Sequence, residues 1–195
     1  MRKIFVLLSL CSILLFSGCA SYNAQSLTSL DSVYLKECPE IEGVRIGCKT
    51  LSTKECKTYL DRNVISKGFL PIQFTFENFS DQRYFFSSDS LSLPKVNPAI
   101  VAETVHTNTL GRIILYSIGG LYVPAAVDGY LSWNANKALD QDFQRKAKDH
   151  LVIYPRSLAT TLVFVPEAQF SPVFSLSLVE EKSGVCKTVE LFLPK

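Results

Sequence analysis

The sequence predicts a mainly β domain with a helical insertion, and two observations carry this. Apolar and polar residues alternate with period two in two blocks, residues 69–93 and 151–193, each cut into short runs by turn residues. Between the blocks, over about residues 98–149, the alternation gives way to apolar residues recurring every four positions, the repeat of a helix face. Ahead of both lies an N-terminal stretch of a third kind.

Met1-Arg2-Lys3 sets two cations before an apolar run from Ile4 to Phe16, and Ser17-Gly18-Cys19 follows. The run has 13 residues, too few for an ordinary transmembrane helix of about 20. A basic start, a short apolar core and small residues form a secretion signal instead. Ser17-Gly18-Cys19 resembles the lipobox of bacterial lipoproteins, with Phe16 where the usual pattern has Leu. Cys11 is no rival, because bulky Leu10 precedes it. The resemblance implies that residues 1–18 are removed and that Cys19 is acylated. Several acyl chains then hold the protein at a membrane more firmly than one chain can. Ala20, rather than Asp, follows the cysteine and implies sorting to the outer membrane, with the periplasmic or surface face left open.

Cleavage removes Arg2 and Lys3, so 18 of the 20 basic residues remain against 18 acidic ones. A near-neutral chain has no basic field for nucleic acid and no polybasic run for anionic lipid. The 177 remaining residues suffice for one domain with a sizeable core. Residues 19–30 are small and polar and read as a flexible tether, which places the domain at 31–195. Four cysteines stay in the mature domain: Cys38, Cys48, Cys56 and Cys186. An even number in an oxidising compartment predicts disulfides among them, in any of three pairings. No C-x-x-C occurs, and His106 and His150 lie far off, so no metal is expected.

In the first β block, Ile72, Phe74 and Phe76 fall on one face and Gln73, Thr75 and Glu77 on the other, the pattern of a half-buried strand. Asn78-Phe79-Ser80-Asp81 turns the chain, and Arg83 to Leu93 returns. In the second block, Leu151–Tyr154, Leu158–Val165, Val173–Val179 and Val185–Leu193 are strand-like, and Glu180-Glu181-Lys182-Ser183-Gly184 closes a hairpin. Short antiparallel strands of this kind make a small β-sandwich, immunoglobulin-like in the broad sense. The Cys-Trp-Cys pattern of true immunoglobulin domains is absent.

The insertion begins with a helix-compatible run after Pro98. Residues 113–127 carry no charge, with Arg112 and Asp128 at their ends. From Asp128 to Lys148 an amphipathic helix is expected, with Leu131, Ala135, Leu139, Phe143 and Ala147 on its apolar face. Gly119-Gly120 interrupts the apolar run and Pro124 suits a helix start. The result is a helical hairpin with Leu121, Tyr122 and Val123 at an apolar tip. That tip is expected to pack internally, to meet an envelope protein or a second copy, or to dip into the bilayer beside acylated Cys19.

Three sets of residues resemble a family of uncharacterised lipoproteins from intracellular bacteria. They are Asp61-Arg62-Asn63-Val64 with Lys67 to Gln73 and Asn78-Phe79-Ser80; Val101 to Arg112; and Pro124 to Gly129 with Ala135 to Asp140. The resemblance covers roughly residues 55–180. It implies that the insertion belongs to the architecture, and it implies no activity and no cofactor.

No G-x-S-x-G, H-E-x-x-H, P-loop or dinucleotide fingerprint occurs. Glu103 and His106 sit one helical turn apart, read as a surface or packing pair, and His150 reads as a strand boundary. Trp133 reads as hairpin packing before a membrane-interface anchor. The expectation is a non-enzymatic envelope lipoprotein with a structural or protein-interaction role. The alternative is a periplasmic carrier of an apolar ligand such as a lipid.

Overall fold

The computed structural model describes residues 21–118 and 122–193. Their elements are two antiparallel four-stranded sheets and several helices. The chain divides into two compact units. One comprises residues 24–105 and 140–195, and the other contains residues 106–139.

The first unit holds both sheets. One sheet has the order β1-β2-β3-β6, from β1 (Glu40–Ile41), β2 (Val44–Thr50), β3 (Phe69–Asn78) and β6 (Ser157–Pro166). The other has the order β5-β4-β7-β8, from β5 (His150–Ile153), β4 (Tyr84–Leu91), β7 (Val173–Glu180) and β8 (Cys186–Phe192). The six strands expected from alternation are all present. The longest pairing joins β3 to β6, from Phe69 opposite Pro166 to Asn78 opposite Ser157. The hairpin expected at residues 180–184 closes on Gly184, whose positive φ of 65° suits glycine and whose amide donates to Glu180 O.

The inner faces share one core. Ile46, Ile72, Phe74 and Phe76 come from the first sheet, and Phe86, Ile153, Phe174, Leu176 and Leu178 from the second. Phe74 lies 6.4 Å from Phe76, 6.0 Å from Phe86 and 6.1 Å from Phe174 between ring centroids. Edge-to-face and tilted rings at such spacings add to the burial of their area.

β3 differs from the half-buried strand expected, because Gln73 and Thr75 are buried as well. The reason is the segment read as a flexible tether, which is docked from Gln25 to Leu30. Gln25 N donates to Thr58 O, Gln73 Nε2 to Thr28 O, and Leu30 N to Thr75 Oγ1. Ser29 Oγ lies 3.1 Å from Thr160 Oγ1. Small polar residues are not in themselves a sign of slack. Here they supply hydroxyls and free backbone groups that satisfy the polar face of a sheet. This strap covers the back of β3 and β6.

Two short helices also belong to this face. α1 (Ser32–Lys36) is capped by Asp31, whose side chain accepts from Val33 N. α2 (Thr53–Leu60) starts on a capping box, with Ser52 and Glu55 each accepting from the other's backbone amide. Gly47 of β2 gives α1 room: a Cβ there would meet Leu35 Cδ2 at 2.5 Å and Leu30 Cδ1 at 3.1 Å. Gly47→Ala is therefore expected to cost about 1–3 kcal/mol by overpacking, read as a lower denaturant midpoint. α3 (Pro98–Thr104) follows an Asn97 cap with Pro98 in its first turn.

The second unit carries α4 (Thr109–Ile118) and the start of α5 (Tyr122–Lys146). α3 belongs to the unit that holds the sheets. α5 begins earlier than Asp128, with Pro124 inside its first turn, where a missing amide proton costs nothing. Thr107 holds the entry to α4. Its amide donates to Asn136 Oδ1 and its carbonyl accepts from Asn136 Nδ2. Gly129 lets Ile113 approach, with Cδ1 only 2.7 Å from where a Cβ would stand.

Candidate functional site

The structure separates the residues singled out in the sequence. Cys19 and Leu121 lie outside the described residues, as do the side chains of Tyr122 and Val123, which open α5. His106 falls beyond the end of α3, so no helical spacing relates it to Glu103. His150 opens β5 as expected.

The disulfides expected among Cys38, Cys48, Cys56 and Cys186 are not formed, and all four are free thiols. Packing explains why. Cys48 points into the inter-sheet core and Cys56 is fully buried in α2, where each acts as a small apolar side chain. Cys186 stands exposed at the start of β8. Cys38 Sγ donates to Tyr34 O. Burial pushes the thiols of Cys48 and Cys56 up to about 12. With the thiols reduced, iodoacetamide at pH 8 should label Cys186 first. Cys48 and Cys56 should react roughly a thousandfold slower, until denaturant exposes them. Intact mass against time reads this, and equal labelling of all four would refute the burial.

The insertion presents a surface that the apolar tip did not anticipate. Along α5, Ala135, Leu139 and Phe143 are buried as the four-residue repeat predicts. One turn earlier the polarity reverses. Asp128 and Ser132 are buried, while Val127, Tyr130 and Trp133 are 53%, 64% and 56% exposed. On α4, Leu110 and Ile114 are exposed too. Positions 127, 130 and 133, and positions 110 and 114, follow helical spacing, so each helix shows an apolar stripe. Trp133, expected to pack in the hairpin, instead stands at the surface with Lys137 Nζ 5.4 Å from its ring centre. The sequence signal was present in part: Tyr130 and Trp133 fall off the face defined by Leu131, Ala135 and Leu139, whereas Val127 stands four residues before Leu131 on the same repeat. Among the described residues, no helix is long and apolar enough to cross a membrane.

A second feature was invisible in the sequence. Lys146, near-completely buried, ends α5 and aims Nζ at three acceptors: Asp142 Oδ2 at 2.5 Å, Tyr59 O at 2.5 Å and Gln25 O at 2.6 Å. An ammonium has three protons, and all three are used. Arg145 pairs with the other oxygen of Asp142. This cluster ties the strap to α2 and to the end of α5. The second sheet carries a register shift in β4 between Phe86 and Leu91, and beside β4 and β5 lies a hollow of about 360 Å³. Phe85, Val152, Val179 and His150 are among its walls.

No family model matches the chain, and no curated protein matches it.

Proposed function

We propose that this chain is a lipid-anchored lipoprotein of the bacterial cell envelope, a member of the family its motifs resemble, with acylated Cys19 in the outer membrane. Its role is structural or protein-interacting rather than enzymatic. In this reading the two sheets form an immunoglobulin-like sandwich that serves as scaffold, and the insertion is the contact element. The reversed polarity of α5, with Asp128 and Ser132 inside and Val127, Tyr130 and Trp133 outside, carries the proposal. Grouped apolar surface of this kind marks an interaction site, and Tyr and Trp are enriched where proteins meet. Exposed Lys137 beside Trp133 favours a protein face over the bilayer interior, since interfaces have polar rims.

A photoreactive side chain in place of Tyr130, activated in intact cells, tests this. The expected product is an adduct with one envelope protein or with a second copy. Adducts with lipid alone would place the stripe in the membrane, and the absence of any adduct would sink the contact reading. Trp133→Ala should weaken the captured complex by about 30-fold, the effect of an interface anchor. Its melting temperature should stay unchanged, because the ring is exposed.

The carrier reading has one observation in its favour, the 360 Å³ hollow over β4 and β5. It would seat a short apolar group rather than a whole lipid. Between the sheets, the phenylalanine rings fill the space a carrier would need. A lipid retained in native mass spectra of the purified protein would support that reading.

A further inference from the structure

The strap does more than cover a sheet. Ser26 and Leu27 line a cleft of about 180 Å³ together with Arg145, Lys146, Lys148 and Thr160. Three cations meet there, and the carboxylate of Asp142 faces two of them, Arg145 and Lys146. Lys148 is exposed and has no ion pair among the described residues. The cleft therefore keeps excess positive charge, although the mature chain is near neutral and the sequence shows no basic run. The fold gathers these charges at one end of α5 beside the strap.

Its position relative to the anchor is limited by chain length. Gln25 is fixed by the hydrogen bond that its amide donates to Thr58 O and by the one that Lys146 Nζ donates to its carbonyl. Six peptide steps separate Cys19 from Gln25. Even fully extended they span only about 20 Å. An acylated Cys19 lies at the membrane surface, so the cleft is held within reach of the headgroups at a high effective concentration of their phosphates.

We propose that this cleft binds the phosphate of an anionic phospholipid in the bilayer that Cys19 anchors, and so orients the sheet-containing unit on the membrane. The proposal rests on the lipoprotein reading of Cys19. Each cation held near an anionic surface raises occupancy by about fivefold, and salt weakens the effect.

Hydrogen exchange on the full lipidated protein in nanodiscs tests it. Discs of phosphatidylcholine alone are compared with discs that also contain phosphatidylglycerol. Amides of residues 145–149 and 25–28 should exchange at least about fivefold more slowly on the anionic discs at low salt. The difference between the two discs should vanish in Arg145→Gln/Lys148→Gln, each disc being compared within the same variant. Equal exchange on both discs, with Cys19 acylated in the same digest, overturns the cleft alone. An unacylated Cys19 overturns the lipoprotein reading and the proposal with it. Slowing by inorganic phosphate on phosphatidylcholine discs, to the same extent, overturns the headgroup assignment in favour of a free phosphate.

Discussion

Lys146→Ala should lower the unfolding free energy by about 3–5 kcal/mol and release the strap. A buried ion pair adds little over an apolar pair, but removing one partner leaves the other charge and its hydrogen-bond acceptors stranded. Here the loss is threefold. Asp142 loses its buried cation and keeps Arg145, whose side chain is 72% exposed. Tyr59 O and Gln25 O lose their donor in a place with little water. Denaturant unfolding reads the stability. Hydrogen exchange reads the strap, since the amides of Gln25 and Leu30 should lose protection before those of β3. Lys146→Met separates the terms: it restores the buried stem but no donor, so strap protection should stay low while part of the stability returns. If Lys146→Ala leaves both stability and strap exchange unchanged, the cluster does not hold the N-terminal segment.

That cluster also shows where sequence reading stops. Alternation in residues 69–93 and 151–193 made the strands of both β blocks legible, because a residue's period reports directly on which face it offers. The four-residue repeat made Ala135, Leu139 and Phe143 legible for the same reason. β2 was less legible: Val44, Ile46 and Cys48 do share its inward face, but Gly47 offers no side chain to the other, and its size is set by α1, remote in sequence. α2 could have been found, since Ser52 and Glu55 spell a capping box. The strap could not, because Ser, Thr and Gln read alike whether they are solvated or bonded to a sheet. Nor could Lys146, whose burial depends on carbonyls 87 and 121 residues away. The cysteine count misled in a related way. An even number is a count, while a disulfide needs two side chains that face each other, and Cys48, Cys56 and Cys186 are set in the core, in α2 and on an exposed strand end.

Phe74→Ala should cost about 3–5 kcal/mol, the range for truncating a fully buried phenylalanine, and it bears on function as well as on packing. Phe74 is inaccessible to solvent and meets Phe76, Phe86 and Phe174. Those three rings belong to β3, β4 and β7, so collapse around the missing ring would require both sheets to shift. The void should stay largely open, and the transfer and cavity terms add. A carrier with its chamber between the sheets predicts something else. There Phe74 would already line an open space, its removal would enlarge that space at small cost, and an apolar ligand would restore the loss by mass action. Urea unfolding of the purified protein and of Phe74→Ala, each with and without added fatty acid, distinguishes the two. A loss of several kcal/mol that fatty acid does not rescue fits a solid scaffold whose interactions lie on its surface. A loss below about 1 kcal/mol, or full rescue, would move the function from the Val127, Tyr130 and Trp133 stripe to the inter-sheet space.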